Sequence, residues 1–198
     1  YLDFRKAFDT VPHERLLNNL YGYGVRGDVL NWIRNFLSDR SQFVSIYDEC
    51  SSTIPVTSGV PQGSVLGPTL FIYFINDLPL SSITSLKIFA DDTKAYVPLI
   101  DDTDHLKLQE TINNLVEWSE KWLLKFNSSK CKILHLGKNN PCLNYSINDN
   151  TSTNTLEETI CEKDLGVHID PLLKFDEHIN YIVKKARSLS GLIMRIIT

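Results

Sequence analysis

Apolar and polar positions along this chain follow two periods, and the switches between them predict its elements. Residues 1–4 read as a short apolar strand interrupted by Asp3. Pro12 suits the first turn of a helix reaching about Tyr21, with Gly22 and Gly24 as stop signals. A second helix is predicted over residues 28–37, with Val29, Ile33, Phe36 and Leu37 at helical spacing and Asp28 as N-cap. Residues 42–47 and 53–57 read as strands. A loop carrying Gly59, Pro61, Gly63 and Gly67 then leads into an apolar helix ending near Ile75. Residues 86–90 and 94–97 flank Asp91 and Asp92 as a strand, a tight turn and a strand. The strongest helical period covers residues 104–126, where Leu108, Ile112, Leu115, Val116, Trp122 and Leu123 share a face. Strands are expected over residues 133–136, 143–147 and 164–170, and an amphipathic helix from about Phe175 to the end. This order predicts an α+β fold with an antiparallel sheet.

Composition changes the picture little. The 198 residues are 42% hydrophobic and 22% charged, which is ordinary for a globular domain. The longest apolar run, residues 70–75, stops at Asn76 and Asp77, so a soluble, intracellular protein with no membrane partner is expected, nucleus or cytoplasm being open. The chain opens on Tyr1 without a leader and reads as a segment of something larger. Cys50, Cys131, Cys142 and Cys161 form no CxxC pair and read as reduced thiols. They share no zinc-ligand spacing with His13, His105, His135, His168 and His178, which argues against a structural zinc site. A net charge of −4 weighs against a nucleic-acid partner, although every charge after Glu177 is positive: Lys184, Lys185, Arg187 and Arg195.

The chemistry is carried by carboxylates. Asp91 and Asp92 repel each other in a tight turn, and a hard divalent cation relieves that repulsion. By themselves they fit an ordinary exposed turn better, where Asp is favoured. Asp3 stands in an apolar strand, where an unpaired charge is costly. Pairing of that strand beside the hairpin would bring Asp3 and Asp91 to one end of a sheet, as a cage for two metals in a phosphoryl transfer.

Longer blocks then carry a resemblance. Tyr1-Leu2-Asp3-Phe4-Arg5-Lys6-Ala7-Phe8-Asp9 is similar to motif A of reverse transcriptases. Ser58-Gly59-Val60-Pro61-Gln62-Gly63-Ser64 with Leu66-Gly67-Pro68 resembles motif B, and Phe89-Ala90-Asp91-Asp92 motif C. Residues 127–132 resemble motif D and residues 165–170 the motif E region. Order and spacing resemble the non-LTR (LINE-type), jockey-like retrotransposon enzymes over nearly the whole chain except residues 139–154.

The resemblance implies a polymerase palm over residues 1–172, with a central antiparallel sheet packed on helices, and the start of a helical thumb over residues 173–198. It implies an RNA-directed DNA polymerase that uses two Mg2+ ions, or Mn2+, with an RNA template, a DNA primer and dNTPs as partners. Asp3, Asp91 and Asp92, with the Phe4 carbonyl, would hold the metals. Phe8 matches the steric gate beneath the sugar, and Lys6 and Ala7 would approach the triphosphate with their backbone. Gln62 and Gly63 match the nucleotide-contacting pair, Lys130 the lysine proposed to protonate pyrophosphate, and Lys184, Lys185 and Arg187 would meet the duplex backbone. A plain core Phe, a tight pre-helical loop and a solvated surface Lys are the competing readings of Phe8, of the Gly59–Gly67 loop and of Lys130. A complete relative also has fingers before motif A and an endonuclease; neither precedes Tyr1, so the piece is expected to be inactive alone. The alternatives are a catalytically inactive retroelement remnant that binds RNA, and a receiver-type signalling domain, whose βα alternation the hairpin and the strand-rich C-terminal half lack.

Overall fold

The computed structural model describes residues 1–149 and 152–197. These residues form two compact units, one of Tyr1–Cys131 with Ser146–Thr155 and the other of Lys132–Tyr145 with Leu156–Thr198.

In the first unit, helices supply the framework. A short helix α1 (Ala7–Thr10) precedes α2 (His13–Gly22) and α3 (Gly27–Leu37). Leu16, Leu17 and Leu20 of α2 and Ile33 and Leu37 of α3 are buried, at the spacing of one helix face. Val29, assigned to that face from the sequence, is exposed. Arg26 rather than Asp28 occupies the N-cap of α3, and no side chain caps it. The segment after α3 forms two small antiparallel ladders, β1 (Ser41–Gln42) with β4 (Ile54–Pro55) and β2 (Ser45–Ile46) with β3 (Glu49–Cys50). All eight of those residues are exposed. Helix α4 (Leu66–Ile75) follows, apolar as predicted, burying Leu70, Phe71, Phe74 and Ile75, and a 3-10 turn covers Leu78–Ser81.

The hairpin of β5 (Ser85–Phe89) and β6 (Asp92–Tyr96) pairs Phe89 with Asp92 across a two-residue turn. Asp92 is thus the first residue of a strand, and the turn itself is Ala90–Asp91. Leu2 bridges Thr93 of β6 in antiparallel fashion, with N–H to O distances of 2.7 and 3.3 Å. Residues 1–4 contribute isolated bridges rather than a continuous strand, the second from Phe4 to Phe126.

Helix α5 (Asp104–Trp122) begins where the Asp104 carboxylate accepts the backbone N–H groups of Ile100 and Asp101 at 2.9 and 2.8 Å and pairs with Lys107 at 2.6 Å. Those hydrogen bonds hold its carboxyl well below the usual carboxylate range. The helix ends four residues before the predicted limit, because Leu123 takes a left-handed conformation (φ 59°) and closes it. That reversal turns Leu123 outward, 49% exposed, and Leu124 inward. Trp118, absent from the predicted stripe, is buried instead. Phe4, Phe74, Trp118, Trp122 and Phe126 form an aromatic cluster: Phe4 stacks on Phe126 at 4.3 Å, and Phe74 meets Trp122 edge-on at 5.5 Å. The Trp118 indole N–H donates to the Asp77 carboxylate at 3.0 Å, so the buried ring leaves no polar atom unpaired. Hairpin β8 (Ser146–Asp149) with β9 (Ser152–Thr155) is tied to α5 through Gln109, whose side chain exchanges hydrogen bonds with the Ser146 backbone at 2.8 and 2.9 Å.

In the second unit, β7 (Lys132–Ile133) pairs in parallel with β10 (Glu157–Glu158). The single strand expected over residues 164–170 is a hairpin, β11 (Glu162–Asp164) with β12 (Val167–Ile169). Leu165 and Gly166, both at positive φ, make its turn. Helix α6 (Asp176–Ile197) packs against β12. The Asp170 carboxylate leads into it by accepting the backbone N–H groups of Leu172, Lys174 and Phe175.

The α+β mixture is as expected, but the single central antiparallel sheet is not present among the described residues. Six separate two-stranded ladders replace it, five antiparallel and one parallel. Most predicted strands shorten to two to five residues, and only the bridges of Leu2 and Phe4 extend pairing beyond a ladder in the first unit.

Candidate active site

Asp3 is held from both sides. Its segment pairs with β6 through Leu2 and with residues after α5, where the Asn127 N–H donates to the Asp3 carbonyl at 2.8 Å. The Arg5 N–H donates to Lys125 at 2.8 Å, and the Asp3 N–H points at the buried Cys131 sulfur at 3.4 Å. Burial pushes the Cys131 thiol up, so it stays neutral beside a carboxylate. The antiparallel register at Leu2–Thr93 carries Asp3 towards Asp92 at the start of β6 and Asp91 in the turn. The turn places Ala90 at φ 52°, a conformation that costs a non-glycine residue about 1–2 kcal/mol.

The electrostatics of Asp3 are unbalanced. Its Oδ1 is buried without a hydrogen-bond partner, and the nearest cation, the Lys130 ammonium, stands at 3.8 Å, a charge contact longer than a hydrogen bond. Desolvation raises its carboxyl above the ordinary value, Lys130 opposes this, and the negative charge of Asp91 adds to the rise. A carboxylate oxygen without a hydrogen bond beside a second carboxylate is a donor set of hard oxygens suited to a divalent cation such as Mg2+.

A second cluster forms where the 58–67 loop is clamped on α1. The Ser58 hydroxyl donates to the Asp9 carbonyl at 2.9 Å, and the Gln62 amide donates to the Asp9 carboxylate at 2.8 Å. The Gly59 and Val60 N–H groups donate to the Val11 and Phe8 carbonyls, both at 2.8 Å, and the His13 ring binds the Gly59 carbonyl at 2.8 Å. Gly59 has φ +91°, and a Cβ there would stand 2.7 Å from the Asp9 carbonyl oxygen. Gly59→Ala is therefore expected to displace the loop and lower stability by about 1–3 kcal/mol, since both the conformation and the contact are closed to a side chain. A urea titration reads this; an unchanged midpoint would show that the clamp is not maintained in solution.

The predicted residues fall into this arrangement as follows. Asp3, Asp91, Asp92 and Lys130 gather about the bridge from Leu2 to β6. Phe4 is buried beneath it, its ring in the aromatic cluster. Lys6 is exposed in the left-handed region (φ 51°), Ala7 is buried, and Phe8 stacks on Phe71 at 4.4 Å while keeping part of its ring open. Gln62 and Gly63 are exposed on the clamped loop. Lys184, Lys185 and Arg187 belong to the other unit, where with Tyr181 and Arg195 they line an exposed groove on α6. Asp9 and His13 were missed as site residues. Asp9 lies inside the first motif, but its bond to Gln62 spans 53 positions, and no local period signals a contact of that range.

Among the described residues no helix is long and apolar enough to cross a membrane. Residues 1–179 match the family described as Reverse transcriptase (RNA-dependent DNA polymerase). The chain is 30% identical over 200 residues to the RNA-directed DNA polymerase from mobile element jockey of Drosophila melanogaster, covering 95% of this chain and 21% of that protein. It is 31% identical over 201 residues to the jockey polymerase of Drosophila funebris, again over 95% of this chain and 21% of that protein. A probable RNA-directed DNA polymerase from transposon BS of Drosophila melanogaster is 29% identical over 209 residues, covering 93% of this chain and 21% of that protein. The chain thus spans about a fifth of the length of these relatives. With motifs in order from Asp3 to Asp170 and matches over almost its whole length, the chain belongs to the reverse transcriptase (RNA-dependent DNA polymerase) family.

Proposed function

We propose that this chain is the catalytic core of an RNA-directed DNA polymerase, adding dNTPs to a primer 3′-hydroxyl by a two-metal mechanism inside the cell. The observation that carries this reading is the buried Oδ1 of Asp3, which has no hydrogen bond and only a long ion pair to Lys130, its carboxyl raised by desolvation and by the charge of Asp91. A buried carboxylate oxygen without a hydrogen bond is poorly satisfied by one ammonium at 3.8 Å, and a divalent cation would satisfy it better.

Asp3, Asp91 and Asp92, with the main-chain carbonyl of Phe4, would hold two Mg2+ or Mn2+ ions, which supply charge stabilisation for the phosphoryl group and acidify the attacking hydroxyl. The 3′-hydroxyl attacks the α-phosphorus, the bond to the bridging oxygen breaks, and pyrophosphate leaves. In this reading the open part of the Phe8 ring lies under the sugar and excludes a 2′-hydroxyl. Its packing on Phe71 stiffens the ring for that task. Gln62, oriented by Asp9, and Gly63 face the nucleotide, and the backbone at Lys6 and Ala7 approaches the triphosphate. Lys130 supports the negative charge of Asp3 and, when that charge is neutralised, is released to donate a proton to the leaving pyrophosphate. Residues 1–172 would serve as palm and residues 173–198 as the start of a thumb, with Lys184, Lys185 and Arg187 on the phosphates of the RNA template and DNA primer duplex.

The test is Mg2+-dependent extension of a DNA primer on an RNA template by the full-length parent protein. Extension with dNTPs, suppressed with ribonucleotides until Phe8 is made smaller, is the expected result. Binding of the duplex without extension would favour a retroelement remnant that only binds RNA.

A further inference from the structure

The histidines and cysteines have no zinc-ligand spacing in the sequence, yet folding of the second unit gathers one of each beside a carboxylate. His135 follows β7, Cys142 lies in the loop after it, and Glu158 ends β10. Parallel pairing sets Glu158 opposite Ile133, two residues before His135. The loop is folded back by three hydrogen bonds. The Gly137 N–H donates to Pro171 at 2.8 Å, the Asn140 amide to the Leu136 carbonyl at 3.1 Å, and the Cys142 N–H to the Asn140 side-chain oxygen at 3.0 Å. One ligand atom from each of His135, Cys142 and Glu158 then lies within 4.8 Å of the others. In a tetrahedral site with metal–ligand bonds of about 2.0–2.3 Å, ligand atoms stand roughly 3.3–3.8 Å apart, so a small inward movement of the two surface side chains completes it.

His135 is the anchored ligand of the three. It is only 9% exposed, so its ring is held in place by the packing around it. One of its ring nitrogens lies within 4.8 Å of both the thiol and the carboxylate, as a neutral imidazole ligand would. Cys142 and Glu158 are exposed, so a bound ion would keep contact with water.

We propose that His135, Cys142 and Glu158 bind a single zinc-class divalent ion through three protein ligands and a solvent-open fourth position. Thiolate and imidazole favour zinc over magnesium, which separates this site by chemistry from the all-oxygen carboxylates around Asp3. The thiolate and carboxylate together balance the two positive charges. Binding displaces the thiol proton to solvent, and the weak contact of the Cys142 sulfur with the Asn140 carbonyl, at 3.5 Å, is given up.

Titrating the reduced 198-residue chain with Co2+ tests this directly. One equivalent is expected to produce a near-ultraviolet thiolate-to-cobalt band with visible d–d bands, displaced by Zn2+ and unaffected by excess Mg2+. Cys142→Ser, at an exposed position, is expected to retain the circular dichroism of the chain and lose the thiolate band. Glu158→Gln should keep the band and weaken binding about 10–100-fold, in the range that changes around a metal site produce. Cys161→Ser should leave the titration unchanged. A folded chain that gives no thiolate band at one equivalent, a band that survives Cys142→Ser, or one lost in Cys161→Ser, overturns the assignment.

Discussion

Asp91→Asn in the full-length parent polymerase is expected to reduce Mg2+-dependent primer extension by at least about 10³-fold, with the fold retained. Metal stabilisation of a phosphoryl transfer is worth several kcal/mol, and each 1.36 kcal/mol is a factor of about ten in rate. The substitution keeps the size of the side chain and the turn at Ala90–Asp91, so the loss falls on the charge alone. Retained extension at the wild-type rate would remove Asp91 from the mechanism. Asp3→Asn provides the complementary measurement on stability. A carboxyl raised in the folded state is easier to ionise unfolded, so its charge costs stability above the ordinary value of 3.8 and costs nothing below it. In metal-free solution Asp3→Asn is therefore expected to match or exceed the wild type in melting temperature at neutral pH, the gap closing as pH falls through that region. The gain stays below about 1 kcal/mol, because 36% of the side chain is exposed and Lys130 partly compensates. A variant clearly less stable at neutral pH would instead mean that Asp3 serves as a structural partner of Lys130.

Phe74→Ala carries the largest expected effect on stability. Phe74 is fully buried and packs edge-on against Trp118 and Trp122, in the cluster that also holds Phe4. Removing a buried ring costs about 3–5 kcal/mol, from lost transfer energy and from the cavity left behind. For a chain of this length that corresponds to a fall in melting temperature of roughly 6–20 °C. Because Phe4 adjoins Asp3 and shares the cluster, the same variant is expected to loosen the carboxylates. Thermal denaturation followed by tryptophan fluorescence reads the stability loss, and Phe74→Leu should recover part of it. A loss below about 1 kcal/mol would show that the cluster repacks.

Helices were far more legible than the sheet. The stripe of α5 and the apolar run of α4 mark themselves within a dozen residues, because helical contacts repeat every three or four positions. Their ends were less legible: Leu123 fits the apolar stripe by spacing, and only its left-handed backbone reveals that the helix has stopped. Strands of two to five residues carry too few alternations for a period to be counted, and pairing depends on partners far away. Leu2 meets Thr93, and Phe4 meets Phe126, across most of the first unit.

By itself, the sequence determined the chemistry on offer: carboxylates at Asp3, Asp91 and Asp92, a Gly-Pro-rich loop around Gln62, and motifs whose order places the chain in the reverse transcriptase family. These are properties of residue type and spacing, and they survive without coordinates. Only the tertiary structure decided that Asp3 stands against Asp91 with no hydrogen bond to its Oδ1 and Lys130 at 3.8 Å, that Asp9 orients Gln62, and that His135 meets Cys142 and Glu158. Each depends on chain segments brought together by packing of the aromatic cluster or by one ladder of hydrogen bonds. No local pattern records such a meeting, because the energy that holds it resides in residues other than those that meet.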